Sequence, residues 1–110
     1  EVIAVAEPTV RRAMEFIARN LARPIGSPQI ADALGVRRPI LDALFREHLC
    51  HSVGEEIRRQ RFARAKLLLE TTNMSVAAIA AETGYCSPSH LANTFRDAAG
   101  VSPRAWRNQL

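Results

Sequence analysis

Apolar residues recur along this chain with the three-to-four-residue spacing of amphipathic α-helices. The first such stretch covers residues 8–21. Its apolar face comprises Val10, Ala13, Met14, Ile17 and Leu21. No stretch alternates with a period of two for long enough to predict a strand. The pattern therefore predicts an all-α fold.

Prolines and serines divide this pattern into helices. Five of the six prolines stand where a helix is predicted to start, since proline is tolerated in the first turn and a preceding Ser can cap it. Ser52 and Glu55 form a capping-box pattern, and Ser75 precedes a further helical run. Seven helices are predicted, over residues 8–21, 28–34, 39–49, 53–70, 76–83, 88–99 and from 103 onward.

An internal repeat joins pairs of these helices. Residues 30–36 (IADALGV) match residues 79–85 (IAAETGY), and each copy continues into a Leu and a Phe four residues apart. In each copy a small Ala allows a second helix to cross closely, and Gly35 or Gly84 can take the positive φ that ends a helix in a tight turn. This is the spacing of a helix-turn-helix, whose second helix enters the DNA major groove. A single copy is common in helical bundles, whereas two copies joined by a long helix are more specific.

These motifs resemble the AraC/XylS type of bacterial transcription regulator, over about residues 8–107. The most specific matches are residues 80–85 (AAETGY), 87–91 (SPSHL), 95–96 (FR), 100–103 (GVSP) and 106–107 (WR). Residues 61, 64–66 and 68–69 resemble the family's linker helix. The resemblance implies a monomeric DNA-binding domain with two helix-turn-helix units. Their recognition helices, residues 39–49 and 88–99, would enter successive major-groove segments of double-stranded DNA.

The resemblance also divides the chain into regions. We expect a linker tail at 1–7, a first helix-turn-helix subdomain at 8–52, the linker helix at 53–71 and a second subdomain at 72–110. A helix of about 18 residues is ~27 Å long, a reach that suits major-groove faces ~34–36 Å apart once helix diameters are added. In longer family members a separate N-terminal domain binds an effector and dimerises. Because the chain starts with Glu, we expect that domain to be missing from this fragment, although small stand-alone members exist.

Helical phase separates the candidate DNA contacts of the second unit from its core face. The family's recognition positions, with Arg96 beside them, correspond here to Pro88, Ser89, His90, Asn93, Thr94 and Arg96. Asn93 can pair with adenine through two hydrogen bonds, Ser89 or His90 can meet a base edge or phosphate, and Thr94 offers a methyl and a hydroxyl group. The alternative interpretation is a solvated helix surface.

The first unit carries fewer base-reading groups. Its candidate contacts are Arg37, Arg38, Pro39, Asp42 and Arg46, and the side chains predicted to face inward are Leu41, Leu44, Phe45 and His48. Asp42 can accept from cytosine but repels phosphates, and Ala43 offers only an apolar contact. We therefore expect the second unit to carry more of the direct base readout.

The linker helix departs from the family at one position. Glu56 stands where family members usually carry an aromatic, whereas its counterpart Trp106 fits and is expected in the core of the second unit. We expect Glu56 to face solvent while Ile57 takes over the packing. Arg58 and Arg61 fall within the apolar arc of this helix, so we expect them to lie along the core and pair with Glu55 or Glu82, with Arg59 and Lys66 on the opposite side.

Composition mainly excludes other classes. The formal charge of +4 is only mildly basic, and no apolar run approaches a membrane span. Cys50 and Cys86 lack metal or redox spacing, which indicates reduced thiols in a cytosol. A Cys50–imidazole dyad with His48 or His51 has no predicted cleft or orienting carboxylate. We therefore expect no catalytic residue, no metal site, no cofactor and no membrane partner.

The expected location is the bacterial cytoplasm, at the nucleoid. A contact with RNA polymerase is compatible with DNA binding, since activators of this type commonly make both contacts. The rival interpretation is a helical protein–protein module, which would show no steep salt dependence of duplex binding.

Overall fold

Seven α-helices and no strand make up the part of the chain that the computed structural model describes, residues 7–109. They are α1 (Pro8–Arg19), α2 (Ser27–Leu34), α3 (Arg38–Leu49), α4 (Val53–Thr71), α5 (Val76–Glu82), α6 (Pro88–Ala99) and α7 (Pro103–Asn108). The all-α prediction is confirmed. Apart from Glu7, the predicted linker tail lies outside the described residues. Within that range no helix combines the length and the apolar character of a transmembrane segment.

Serine caps account for most of the helix starts. The Ser75, Ser87 and Ser102 hydroxyl oxygens each accept a backbone N–H in the first turn of the helix that follows, at 3.0 to 3.1 Å. Ser52 and Glu55 form the predicted capping box: the Ser52 N–H donates to Glu55 Oε1 at 2.8 Å, and the Glu55 N–H donates to Ser52 Oγ at 3.1 Å. The bonds from Ser52 are the main reason that the pKa of Glu55 lies below its ordinary value.

Two predicted helix starts are displaced by one residue. Helix α2 begins at Ser27 and α3 at Arg38, so Ser27 lies inside its helix and the residues before these helices make no side-chain cap. The Ser27 hydroxyl instead donates to Asp42 Oδ1 of α3 at 2.8 Å. Ser27 therefore does not cap α2, because the helix starts one residue earlier than predicted and Ser27 is its first residue.

The chain divides into two compact units inside α4, the first ending at Gln60 and the second starting at Arg61. In the first unit, one core joins α1, α2, α3 and the beginning of α4. Its members with less than 5% exposure are Val10, Ala13, Ile17, Ile30, Ala31, Leu41, Phe45, Val53 and Ile57. Ile57 thus packs as expected. His48 is exposed and Leu49 packs against the core instead, so the inward placement of His48 is wrong.

The second unit has a core of its own, built from the end of α4 with α5 and α6. Its most buried members are Ala65, Leu69, Ile79, Ala80, Leu91 and Phe95. Trp106 is half-buried and packs edge-on against Phe95, with ring centroids 5.8 Å apart, which confirms its predicted place. Its Nε1 donates to Glu70 Oε2 at 3.0 Å, and Lys66 Nζ lies 4.8 Å from the ring centroid.

The same glycine turn closes the first helix of each repeat. Gly35 has φ +71° and Gly84 has φ +86°. The next residue, Val36 or Tyr85, donates its N–H to the carbonyl five residues earlier, at 3.0 or 2.9 Å. These acceptors belong to Ala31 and Ala80, the buried alanines of the two copies. The repeat therefore predicts this backbone turn correctly in both units.

Glu56 is 1% exposed, so the expectation that it faces solvent is wrong. The Arg59 guanidinium donates to both of its carboxylate oxygens at 3.0 and 2.7 Å, and Gln60 Nε2 donates to Oε2 at 2.8 Å. His51 Nε2 lies 2.8 Å from Oε1. Burial raises the pKa of Glu56, but these hydrogen bonds and the charge of Arg59 outweigh it and hold the pKa below its ordinary value. The carboxylate is thus compatible with burial because its oxygens are satisfied.

The positions of the arginines of α4 agree only in part with those predicted from the sequence. Arg59 is exposed, as expected for the side away from the apolar arc, but it also forms an ion pair with Glu56, three residues earlier. Arg58 is exposed, so the prediction that it lies along the core is wrong. Arg61 is half-buried. Helical phase placed the apolar arc correctly but gave no sign that a buried carboxylate would fix the neighbouring guanidinium.

Cys50 offers a test of backbone strain. It ends α3 with φ +61°, in the place where Gly100 ends α6 with φ +79°. A side chain costs about 1–2 kcal/mol in this left-handed region. Cys50→Gly should therefore raise the free energy of unfolding by about 0.5–1 kcal/mol, after allowing for the greater entropy of unfolded glycine. Gly100→Ala, with no atom within 4 Å of the added Cβ, should lower it by about 1 kcal/mol. Urea denaturation followed by circular dichroism measures both, and shifts in the same direction would contradict this account.

Glu56 predicts a specific dependence of stability on pH. Replacing it with Gln sets an amide N–H₂ against the Arg59 donors, so Glu56→Gln should lower the free energy of unfolding by about 1–3 kcal/mol at pH 7. Because the folded pKa lies below 4.5, the stabilisation is complete above that pH and is lost as the pH falls through the folded pKa. The difference in free energy of unfolding between the native protein and the Glu56→Gln variant should therefore become smaller in acid. Glu47→Gln, at an exposed site on α3, should change stability at pH 7 by less than about 0.5 kcal/mol, and an equal loss in both variants would contradict a special role for Glu56.

Candidate nucleic-acid interface

Helix α6 presents a polar face to solvent because its opposite face is anchored in the core of the second unit. Leu91 and Phe95 are fully buried, and the Ser87 cap fixes the first turn. The predicted contacts Pro88, Ser89, His90, Asn93 and Arg96 are all exposed, and Thr94 is half-buried. The structure therefore leaves five of the six predicted residues of this helix accessible to solvent, and Thr94 partly so.

Local contacts orient two of these side chains. The Arg96 Nη2 donates to Asn93 Oδ1 at 2.9 Å, one turn earlier on the helix. The ring of His90 packs edge-on against Tyr85, with centroids 5.3 Å apart. Tyr85 is half-buried, and burial raises the pKa of its hydroxyl above the ordinary value, so it remains neutral at pH 7. These side chains of α6 are thus partly ordered without a ligand, which lowers the entropic cost of binding one.

Helix α3 has the same packing with different chemistry on its outer side. From Leu41 to Leu49, each residue is buried, half-buried or exposed in step with the residue fifty positions later in α6. Of the predicted contacts, Arg37, Arg38, Pro39 and Arg46 are exposed and Asp42 is half-buried. Asp42 accepts from Ser27 and lies 3.7 Å from Arg38 Nε. Its carboxylate therefore has partners within the first unit.

A cavity of about 460 Å³ opens beside α3 in the first unit. It is lined by the starts of α2 and α4 and by the outer side of α3, namely Gly26, Ser27, Pro28, Arg38, Asp42, Arg46, Ser52, Val53 and Gly54. Two guanidinium groups and the positive ends of two helix dipoles meet there against one carboxylate. The electrostatics of this side of the unit favour an anion such as a backbone phosphate.

Ile40 is also exposed on the outer side of α3 and was not among the contacts predicted from the sequence. It lies on the first turn of α3 and is 47% exposed. The repeat carried the signal that could have found it, because an offset of fifty residues sets Ile40 at the position of His90, a predicted contact.

Other chemistry is not visible among the described residues. Both cysteines are exposed free thiols. In the same range, no group of three or more His, Cys, Asp or Glu side chains has an arrangement able to hold a metal ion.

Comparison with known proteins gives a family and a set of relatives. A family model described as a helix-turn-helix domain matches residues 30–109. The xylose operon regulatory protein of Escherichia coli K12 is 27% identical over 105 residues, which are 96% of this chain and 27% of that protein. The transcriptional regulator GbdR of Pseudomonas aeruginosa is 30% identical over 92% of this chain and 28% of its own length. The chain thus spans little more than a quarter of either relative.

Solved structures of DNA-binding transcription regulators superpose on this chain. An AraC-type DNA-binding-domain regulator of Chromobacterium violaceum superposes with a TM-score of 0.88 at 29% identity, covering 97% of this chain and 96% of that one. The DNA-binding domain of the global transcriptional factor AdpA, in complex with a target DNA, superposes with a TM-score of 0.84 at 26% identity, covering 94% of this chain and 93% of that one.

Proposed function

The chain belongs to the AraC-type helix-turn-helix family of transcription regulators, and we propose that it binds double-stranded DNA sequence-specifically by placing α3 and α6 in successive major-groove segments. One observation supports this proposal most: the same buried-and-exposed pattern occurs twice, each time on a helix that follows a glycine turn and exposes cationic side chains. The similar domain of AdpA was solved in complex with a target DNA. The family and these relatives are transcription regulators, a class of proteins that are not enzymes.

We assign different tasks to the two units. Asn93 would read adenine, with Ser89, His90 and Thr94 meeting neighbouring bases or phosphates. In the first unit Arg37, Arg38 and Arg46 would bind phosphates, which positions α3 without specifying sequence. Residues 8–52 and 72–110 would form the two DNA-binding subdomains, with residues 53–71 as the helix between them.

The full-length protein has further expected partners. We propose that an effector-binding and dimerising domain lies elsewhere in it, and that RNA polymerase is a second contact for the DNA-bound form. The bacterial cytoplasm, at the nucleoid, is the location that this function requires.

Salt dependence distinguishes DNA binding from a protein–protein module. Neutralising about six phosphates predicts a loss of about 10³ in duplex affinity between 50 and 200 mM salt. Arg46→Ala should weaken binding about equally for all sequences and reduce the slope of log affinity against log salt by about 1. Arg11→Ala, which removes an exposed charge from α1, should leave the slope unchanged. Fluorescence anisotropy with duplexes selected from a random pool measures these slopes, and a flat response would favour the protein–protein module.

Substitutions in the two units should reduce discrimination between base pairs by unequal amounts. Asn93→Ala removes a bidentate partner of adenine and should cost about 1–3 kcal/mol of discrimination at one base pair. Asp42→Ala should cost much less discrimination, because the Asp42–Ser27 bond is partly buried, whereas the Asn93–Arg96 bond is exposed and can be exchanged for contacts with a base. Competition binding with single-base variants of the selected duplex measures both. Comparable losses would contradict the division of tasks.

A further inference from the structure

The outer side of α3 carries an apolar strip formed by Pro39, Ile40 and Ala43. All three residues are exposed, and Ile40 and Ala43 are three positions apart, so they are neighbours on the helix surface. Only one other large aliphatic side chain among the described residues, Leu67 at 45%, is comparably exposed. A single exposed aliphatic residue is ordinary, whereas three neighbouring apolar residues exposed on one helix face form a patch that a partner could cover.

The equivalent positions of α6 make the chemistry of the strip distinctive. Fifty residues later, Pro39, Ile40 and Ala43 correspond to Ser89, His90 and Asn93, which are polar and exposed. The carboxylate of Asp42, beside the strip, accepts from Ser27. The same backbone surface that offers hydrogen-bonding groups in the second unit therefore offers methyl and methylene groups in the first.

The charges around the strip indicate what covers it. Arg37, Arg38 and Arg46 are exposed at its ends. An apolar strip bordered by guanidinium groups is complementary to a groove that has phosphates along its rims and an apolar group on its floor. In the major groove of DNA that apolar group is the C5-methyl of thymine, which no other standard base carries.

We propose that the apolar strip of α3, centred on Ile40, recognises thymine methyl groups in the half-site bound by the first unit. This inference rests on the proposed function, because it requires α3 to lie in a major groove. It adds a mode of readout to the first unit, which selects thymine by apolar contact while the arginines around it bind phosphates.

Deoxyuridine tests the inference, because it pairs as thymine does but lacks the methyl group. A duplex is selected from a random pool with this protein, and each thymine in turn is replaced by deoxyuridine. Burying one methyl group corresponds to about a fourfold change in affinity. At one or more thymines of a single half-site, the native protein should therefore bind the deoxyuridine duplex about fourfold more weakly. Ile40→Ala should bind both versions equally at such a position.

Leu67→Ala provides a matched control, since it shortens the other exposed aliphatic side chain, on α4. That variant should keep the fourfold preference for thymine. If the native protein shows no deoxyuridine effect at any position, or if Ile40→Ala keeps the preference, the inference is overturned while the proposed function stands. If no duplex is enriched over the pool, the proposed function fails and this inference fails with it.

Discussion

The architecture depends on the turn that joins the two helices of each repeat. A residue with positive φ, Gly35 or Gly84, reverses the chain at the end of a short helix, and the next N–H closes a bond to the carbonyl of a buried alanine. At the alanine position of each copy, a larger side chain would separate the two helices. At the glycine position, any other residue would strain the turn. With both in place, the second helix must pack its Leu and Phe inward, and the opposite face is left in solvent. The outward face of the second helix is therefore a geometric consequence of the turn, whereas what that face can read depends on the residues exposed on it.

The helix after α3 and the helix after α6 pack on their cores in different ways. In the second unit Trp106 packs against Phe95 and donates its indole N–H to Glu70, so an aromatic ring covers the core. In the first unit Glu56 occupies the equivalent position and must be satisfied instead by Arg59, Gln60 and His51. Apolar packing tolerates small displacements, whereas a buried carboxylate needs its donors in place. The start of α4 in the first unit is thus held by directional hydrogen bonds.

Local signals explain what the sequence could predict. Serine caps, prolines in the first turn and glycine turns act within a few residues, and apolar periodicity marks the core side of each helix. The helices of the described residues, the positions of the turns and the outer face of α6 therefore followed from the sequence. The errors concern contacts between polar side chains and the exposure of single residues, which apolar periodicity does not encode. Ser27 meets Asp42 across 15 positions, and the burial of Glu56 depends on His51 and on the packing of α1 beside Gln60. A helical wheel contains none of this, because it assigns direction to a side chain without knowing what it will meet.

The net charge of +4 illustrates why placement matters more than total charge here. Arg59 is paired with Glu56, and Arg107 donates to the carbonyls of Leu69 and Thr72 at the end of α4, so both guanidinium groups have structural tasks. A mildly basic domain can still attract a duplex if its other cations are concentrated on two helices, because their fields add locally. Arg37, Arg38 and Arg46 lie on or beside the outer side of α3, and Arg96 lies on that of α6. The same total charge spread evenly over the surface would give neither orientation nor register.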